Sequence, residues 1–287
     1  MAPVPNPDER WEERLTPPSV LVSIPVHNEF PRLRESIRLL QTELDASGMR
    51  YTLSICEDGS DDGTKQLLEV LKGENPRIVV YTFPEKKGRG WALRNHWKDL
   101  SYDIYAFCDA DLATGPDSVV SAVRLVQTGY GLVIGSRYVK GAVVKRPPAR
   151  KFVSRLYNRL LRLIFQDGVY DHQCGLKAFS SDALVAVLPA SLEDSWFWDT
   201  EVILIAKKLG IRTLEMPVHW REAKAQRTYL RRLLKDIFLH GTGILRLKGD
   251  LNQRAKPSRH TGLLDYPLPR LTELRSRFED STGEHNA

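Results

Sequence analysis

The chain has 287 residues, 42% of them hydrophobic, enough for one large α/β domain or two small ones with a sizeable core. Its formal charge of +6 and isoelectric point near 9.2 favour anionic partners, with nucleotides, phospholipid surfaces and nucleic acid all admissible on charge alone. The three cysteines, Cys56, Cys108 and Cys174, lie far apart without a CxxC pair, which argues against structural zinc and a disulfide framework and implies reduced thiols. The N-terminal "MAPVPNPDERWEERL" has no apolar core for a signal peptide, and no apolar run approaches the ~20 residues of a spanning helix. The expected location is the cytosol or the periphery of a membrane.

From Val20 to about Ile134, short β-rich runs alternate with helical patterns, the signature of βαβ units on a mostly parallel sheet. The first strand, "VLVSIP", runs into "IPVHNE" without the GxGxxG turn of a dinucleotide fold, which speaks against NAD and FAD. Pro25 and Asn28 suit a loop, and Glu29 can either cap the following helix, "RLRESIRLLQTEL", or bind a ribose.

The second strand, "YTLSIC", leads into "EDGSDDGTKQLLE", which fits the pattern of a calcium-binding EF-hand loop from Asp58 through Ser60, Asp62 and Gly63 to Glu69. An EF-hand needs a helix before the loop, whereas a β-rich run stands there; Leu67, Leu68 and Leu71 predict a helix from about Asp61 that carries Glu69 away. The turn therefore reads as the carboxyl edge of a parallel strand. There Asp58 can accept hydrogen bonds from a base or ribose, or the segment supplies only turn and cap chemistry.

After the strand "RIVVYTF", the basic segment "EKKGRGWALRN" offers Lys86, Lys87, Arg89 and Arg94 around Gly88 and Gly90, a composition suited to phosphates or to a solvated charge run. The fourth strand, "IYAFC", delivers "DADLATGPDS". Asp109 and Asp111, two apart in an extended segment, point to one side and can share a hard cation such as Mg2+ or Mn2+, which would neutralise a diphosphate leaving group; a bare turn is the alternative. The strand "GLVIGS" closes the alternating region.

The motifs "IPVHNE", "EDGSDDGT", "KKGRGWALR", "CDADL" and "IGSRY", in that order, resemble family-two glycosyltransferases of the GT-A fold, and within them the polyprenyl-phosphate sugar synthases. The later "DHQCGLKAF", "WFWDTE" and "EMPVHW" look most like the dolichyl-phosphate glucosyltransferase branch, with the mannosyltransferase branch next. The resemblance covers roughly Val20 to Leu247 and implies an α/β, Rossmann-like, mostly parallel sheet with flanking helices.

It further implies that Pro25, His27, Glu29 and Asp58 line the nucleoside pocket; Arg94 of the basic segment is the candidate for the sugar nucleotide's phosphates. Asp109 and Asp111 would hold metal and diphosphate, and Arg137 would face the acceptor phosphate. Ala113 stands where the mannosyl branch often has Gln, which weakens a third protein ligand and the mannosyl reading. The implied reaction is inverting transfer of a hexose from UDP-glucose, or from GDP-mannose as second choice, to a polyprenyl or dolichyl phosphate.

An acceptor phosphate needs positive charge rather than a strong base. Arg137 suits that task; Lys177 is a weaker candidate whose alternative is a surface charge. Asp199, among Trp196, Phe197 and Trp198, can orient the sugar, act as a base or cap the next helix. A hydroxyl acceptor would make such a base necessary.

"ARKFVSRLYNRLLRLIF" carries Lys151, Arg155, Arg159 and Arg162 at helical spacing beside Phe152, Leu156, Leu160 and Leu163, and "YLRRLLKDIFLHGTGILRLKG" repeats the design. Such helices can lie in an anionic interface without spanning it. The expected organisation is an N-terminal extension over 1–18 and a catalytic domain over 19–249 with interfacial helices near 150–166 and 229–247. A weakly ordered tail, 250–287, follows. The site would sit on the cytoplasmic face of a membrane. Rival readings are transfer to a glycan hydroxyl and a non-catalytic nucleotide- or nucleic-acid-binding module. No RNP-like, zinc or helix-turn-helix signature supports nucleic acid as a partner.

Overall fold

The structure, a computed structural model, describes residues 17–221 and 249–250. The expected interfacial helix near 229–247 and the tail from 251 onward lie outside the described residues. Every strand expected up to Ile134 is present: β1 (Ser19–Val26), β2 (Arg50–Asp58), β3 (Ile78–Phe83), β4 (Ile104–Cys108) and β5 (Leu132–Ser136). Between them run α1 (Phe30–Ala46), α2 (Thr64–Glu74), α3 (Arg89–Trp97) and α4 (Pro116–Gln127). The second half adds β6 (Val143–Lys145), α5 (Pro148–Phe165), β7 (Leu176–Ser180), α6 (Ser181–Val187), α7 (Trp198–Lys208), β8 (Thr213–Pro217) and β9 (His219–Arg221).

The main sheet has the order β3-β2-β1-β4-β7-β5-β8. All neighbours are parallel except that β7 runs antiparallel between β4 and β5. β6 and β9 form a separate two-stranded parallel pair. Chain direction across the sheet reverses between β1 and β4, the crevice where open α/β sheets receive ligands at their carboxyl ends.

Both faces of the sheet's centre are covered, so β1, β4 and β5 read as near-continuous apolar runs. Val20, Val22 and Ile24 of β1 and Ile104, Ala106 and Cys108 of β4 point into one core, with Leu33, Ile37 and Leu40 of α1 and Val119 and Val123 of α4. The alternate residues, Leu21, Tyr105 and Phe107, enter a second core with Leu93 and Trp97 of α3 and Trp198, Val202 and Ile205 of α7. The α1 spacing Leu33, Ile37, Leu40, Leu44 is the period of a half-buried helix. Trp97, buried against Tyr105, Phe107, Phe179 and Trp198, donates its Nε1 hydrogen to Ser23 Oγ at 2.9 Å.

Two boundaries differ from the expectation. α2 begins at Thr64, not near Asp61, because Gly63 takes a left-handed φ of 94° and Asp62 Oδ1 caps Thr64 N at 3.1 Å. The basic segment is half loop and half helix, and Arg89 opens α3.

Candidate active site at the carboxyl edge of the sheet

The calcium-like turn is held by neighbours that leave it no common centre. Asn28, itself at φ 58°, donates from Nδ2 to Asp61 Oδ1 at 2.8 Å, and Asp62 Oδ2 accepts from Phe30 N at 3.2 Å. Among the described residues, no group of three or more His, Cys, Asp and Glu side chains is arranged to hold a metal ion. The turn thus fastens the β1–α1 connection to the end of β2.

Asp58 is buried, and its carboxylate is taken by the basic loop: Oδ1 accepts from Lys87 N at 2.7 Å and Oδ2 from Gly88 N at 2.8 Å. Through these two backbone amides Asp58 pins the basic loop to the end of β2. Gly88 has φ 120°, and a Cβ there would collide with the Asp194 carbonyl. His27 lies beside them, its Nδ1 2.8 Å from Asp58 O, and Pro25 pairs in register with Cys56. The Nη1 of Arg94 donates to Ser191 O at 3.2 Å and Glu193 O at 3.1 Å, tying α3 to the loop before α7.

Asp109 and Asp111 emerge half-buried from the end of β4. Asp109 N donates to Gly175 O at 3.0 Å, and a Cβ on Gly175 would overlap the Asp109 carboxylate, so only glycine fits there. Leu112, at φ 47°, closes the turn in a conformation uncommon for a bulky side chain. Burial, then Asp109, raise the Asp111 carboxyl; Glu29 is raised by burial first and by both aspartates, against Arg32. The corner therefore carries excess negative charge on hard oxygens, a donor set that fits Mg2+ or Mn2+ held by two carboxylates and completed by water and substrate.

Arg89 is the arginine of the basic segment that reaches this corner. Its Nη1 donates to Asp109 Oδ1 at 2.6 Å, and its Nη2 pairs with Asp199. Asp199 in turn accepts from Lys177 Nζ at 2.6 Å, while Lys177 also donates to Cys174 O at 3.0 Å. The surface-charge reading of Lys177 is wrong: the residue is 0% exposed, because β7 faces it into the aromatic core beside Phe107. Burial and the neighbouring Arg89 cation pull its ammonium down to about 7. Asp199 is buried to the same degree and joins two cations; it is neither a helix cap nor a free base. Burial lowers Arg89 from its ordinary value and Asp109 opposes this.

Arg137 sits at the end of β5 in a second buried pair. Its Nε and Nη2 donate to the two oxygens of Asp171 at 2.7 Å each, and Trp220 stacks 4.7 Å from its guanidinium. Burial alone would lower Arg137, but Asp171 outweighs it and holds the proton firmly; Asp171 is correspondingly lowered, against its own burial. The neighbouring Tyr138 donates to Ser154 Oγ of α5 at 2.6 Å, which joins the Arg137 corner to that helix. The three thiols are buried, free and raised by burial, Cys56 and Cys174 to about 12, so they stay protonated and inert.

Sequence reasoning missed the structural roles of Arg89, Asp171 and Gly175. The first two were legible only as charges in motifs, since each finds its partner far along the chain. Gly175 had one local sign, its place between Cys174 and the strand "LKAF".

Among solved structures, glucosyl-3-phosphoglycerate synthase from Mycobacterium tuberculosis, in complex with Mn2+, UDP and phosphoglyceric acid, superposes with a TM-score of 0.60 at 20% identity, covering 85% of this chain and 80% of that one. The mannosyltransferase PcManGT from Pyrobaculum calidifontis, in complex with GDP-Man and Mn2+, gives 0.56 at 19% identity over 96% and 86%. These likenesses establish the GT-A fold. In sequence, the glycosyltransferase AglD of Haloferax volcanii is 34% identical over 264 residues, 90% of this chain but 42% of that protein, so the chain spans less than half of this relative. The dolichyl-phosphate beta-glucosyltransferase ALG5A of Trichomonas vaginalis is 29% identical over 81% of this chain and 76% of its own length. The family model described as glycosyl transferase family 2 matches residues 21–188, more than half of the chain and every motif from β1 to β7, and the chain belongs to that family of glycosyltransferases.

Proposed function

We propose that the protein transfers a hexose, glucose in first place, from a nucleoside-diphosphate sugar to a polyprenyl or dolichyl phosphate at the cytoplasmic face of a membrane, with inversion at the anomeric carbon. The observation that carries this reading is the state of Asp199. It is the carboxylate of the "WFWDTE" motif that the sequence offered as a base, and it is fully buried and ion-paired with both Arg89 and Lys177. A site without that base suits an acceptor that is already anionic, and the names of the dolichyl-phosphate relatives point the same way.

In the proposed reaction an acceptor phosphate oxygen forms a bond to the anomeric carbon as the bond to the nucleoside diphosphate breaks, one displacement with one inversion. Arg137, oriented by Asp171, draws the acceptor phosphate toward the sugar. The pinned Lys87–Gly88 amides and His27 shape the nucleoside side. Asp109 and Asp111 would hold Mg2+ or Mn2+, which when bound neutralises charge on the departing diphosphate. Arg89 keeps Asp109 in place and adds positive charge beside it.

α5 supplies the membrane argument. The apolar series read from the sequence is exposed, with Phe152 at 69%, Leu156 at 57% and Leu163 at 68%, while Tyr157 and Leu161 on the opposite side are buried. An interfacial helix has this division. Among the described residues, no helix is long and apolar enough to cross a membrane. The test is incubation with UDP-glucose or GDP-mannose and a short polyprenyl phosphate, with and without Mn2+. Formation of the glycosyl phospholipid from UDP-glucose with release of UDP is expected. Nucleotide release no greater than in acceptor-free controls, for every donor, would refute the reading.

A further inference from the structure

Beside the Arg137 corner, on the outer side of Tyr138, lies an open hollow of about 310 Å³ lined by Tyr138, Arg155, Asn158, Arg159, Arg162 and Tyr170. Three of its six walls are arginines, and none of the six is acidic. Arg155, Arg159 and Arg162 recur at i, i+4 and i+7 on α5, so one side of the helix carries all three. None of them forms a salt bridge with a described residue. Two of them rest on aromatic rings instead: Arg162 stacks 4.4 Å from the centre of Tyr170 and Arg155 lies 5.9 Å from that of Tyr138. The Nε of Arg162 is a buried donor with no hydrogen-bond partner. Such a donor costs free energy unless something accepts from it.

The floor is rigid. Asn158 is buried, its Nδ2 donating to Ser154 O at 2.9 Å and its Oδ1 accepting from His172 N at 2.9 Å. His172 in turn lies with Nε2 2.6 Å from Asp167 Oδ2. A concave, cationic, donor-rich surface fits a phosphate group, because guanidinium forks match phosphate oxygens in geometry and charge. Exposed Leu156 and Leu160 each lie one residue after a hollow arginine along the helix. With that apolar side in the acyl layer, the hollow opens at headgroup depth.

We propose that this hollow is a binding site for the phosphate headgroup of an anionic membrane lipid, separate from the acceptor phosphate at Arg137. It anchors and orients α5 so that the Arg137 corner faces the membrane. The lipid as source rests on the membrane contact proposed above; the phosphate chemistry rests on the hollow alone.

The test is co-sedimentation of the full chain with phosphatidylcholine vesicles, with and without phosphatidylglycerol, alongside titration with inorganic phosphate. Wild type should bind the phosphatidylglycerol vesicles at least about tenfold more tightly than phosphatidylcholine alone, as one to two lipid-paired arginines provide. The charge-preserving variant Arg159→Lys/Arg162→Lys should lose most of that preference while melting at the wild-type temperature, since lysine keeps the charge and loses the planar fork. Lys145→Gln/Lys151→Gln, which removes two charges outside the hollow, should lose less. Equal binding by wild type and the lysine variant, or an equal loss in both double variants, would mean diffuse attraction and overturn the site. Saturable, variant-sensitive binding of inorganic phosphate without vesicle preference would overturn the lipid as source. Failure of wild type to bind any vesicle would remove the membrane reading itself.

Discussion

Replacing Asp199 by Asn should destabilise the protein strongly while sparing much of its catalysis. The carboxylate is 0% exposed and stands between Lys177 Nζ at 2.6 Å and the Arg89 guanidinium. Asn keeps one acceptor oxygen between Lys177 and Arg89 but no charge, so the buried cluster changes from two cations against two anions to two against one. Breaking a buried pair in this way costs about 3–5 kcal/mol. At roughly 2–4 °C per kcal/mol for a domain of this size, the melting temperature should fall by ~6–20 °C. Adding Lys177→Met to Asp199→Asn restores the balance, and the cycle should show a coupling energy within the ~0.5–3 kcal/mol seen between contacting residues. The assay is urea unfolding of wild type, both single variants and the double variant, followed by circular dichroism. A cost below about 1 kcal/mol for Asp199→Asn, or strictly additive costs, would refute the buried-pair reasoning. Turnover of Asp199→Asn, measured well below its melting temperature, should fall by far less than the ~10²–10⁴-fold that loss of a general base costs. A loss of that size with disappearance of the acidic limb of the pH profile would favour a hydroxyl acceptor.

Asp109→Asn or Asp111→Asn should abolish turnover and weaken Mn2+ binding, read by calorimetry, while the circular dichroism spectrum is retained; full activity in both variants would remove the metal assignment. Asp171→Asn frees Arg137 from its bidentate partner and should raise KM for the polyprenyl phosphate more than KM for the nucleotide sugar, and equal effects on both would argue that the pair is only structural. Burial lowers His96 to about 4 from 6.5. Between those values the unfolded chain binds a proton that the folded chain refuses, so this residue's contribution is complete above pH 6.5 and lost as pH falls toward 4, up to about 3 kcal/mol. Chemical unfolding of wild type and His96→Gln across that range should show the acid slope shrink in the variant; an unchanged slope would assign it to other groups.

The parts of this protein that could be read from its sequence are those whose physics is local. β1, β4 and β5 are near-continuous apolar runs because helices cover both faces of the sheet there, and the helical spacing of α1 and α5 sorts buried from exposed positions before any partner is known. The carboxylates after β4 follow from strand periodicity and the edge at which parallel strands end. What stayed hidden depends on long closures. β7 enters antiparallel between β4 and β5, an insertion that no local pattern specifies, and it carries Lys177 inward.

Asp58 was visible as an acid at a strand end, but its partners, Lys87 and Gly88, come from the far side of α2 and β3. The EF-hand pattern could be set aside for the complementary reason: ligand spacing along a chain says nothing until the flanking elements decide where the side chains point, and here a strand precedes the loop. The Arg89–Asp199–Lys177 chain nevertheless left a trace. A lysine inside the strand "LKAFS" and an aspartate inside "WFWDTE" are each too costly to bury alone, and a fold that buries both has strong reason to bury them together. Two isolated opposite charges in separate apolar runs are thus a contact signal of their own, and here that signal leads to the side chain that steadies Asp109.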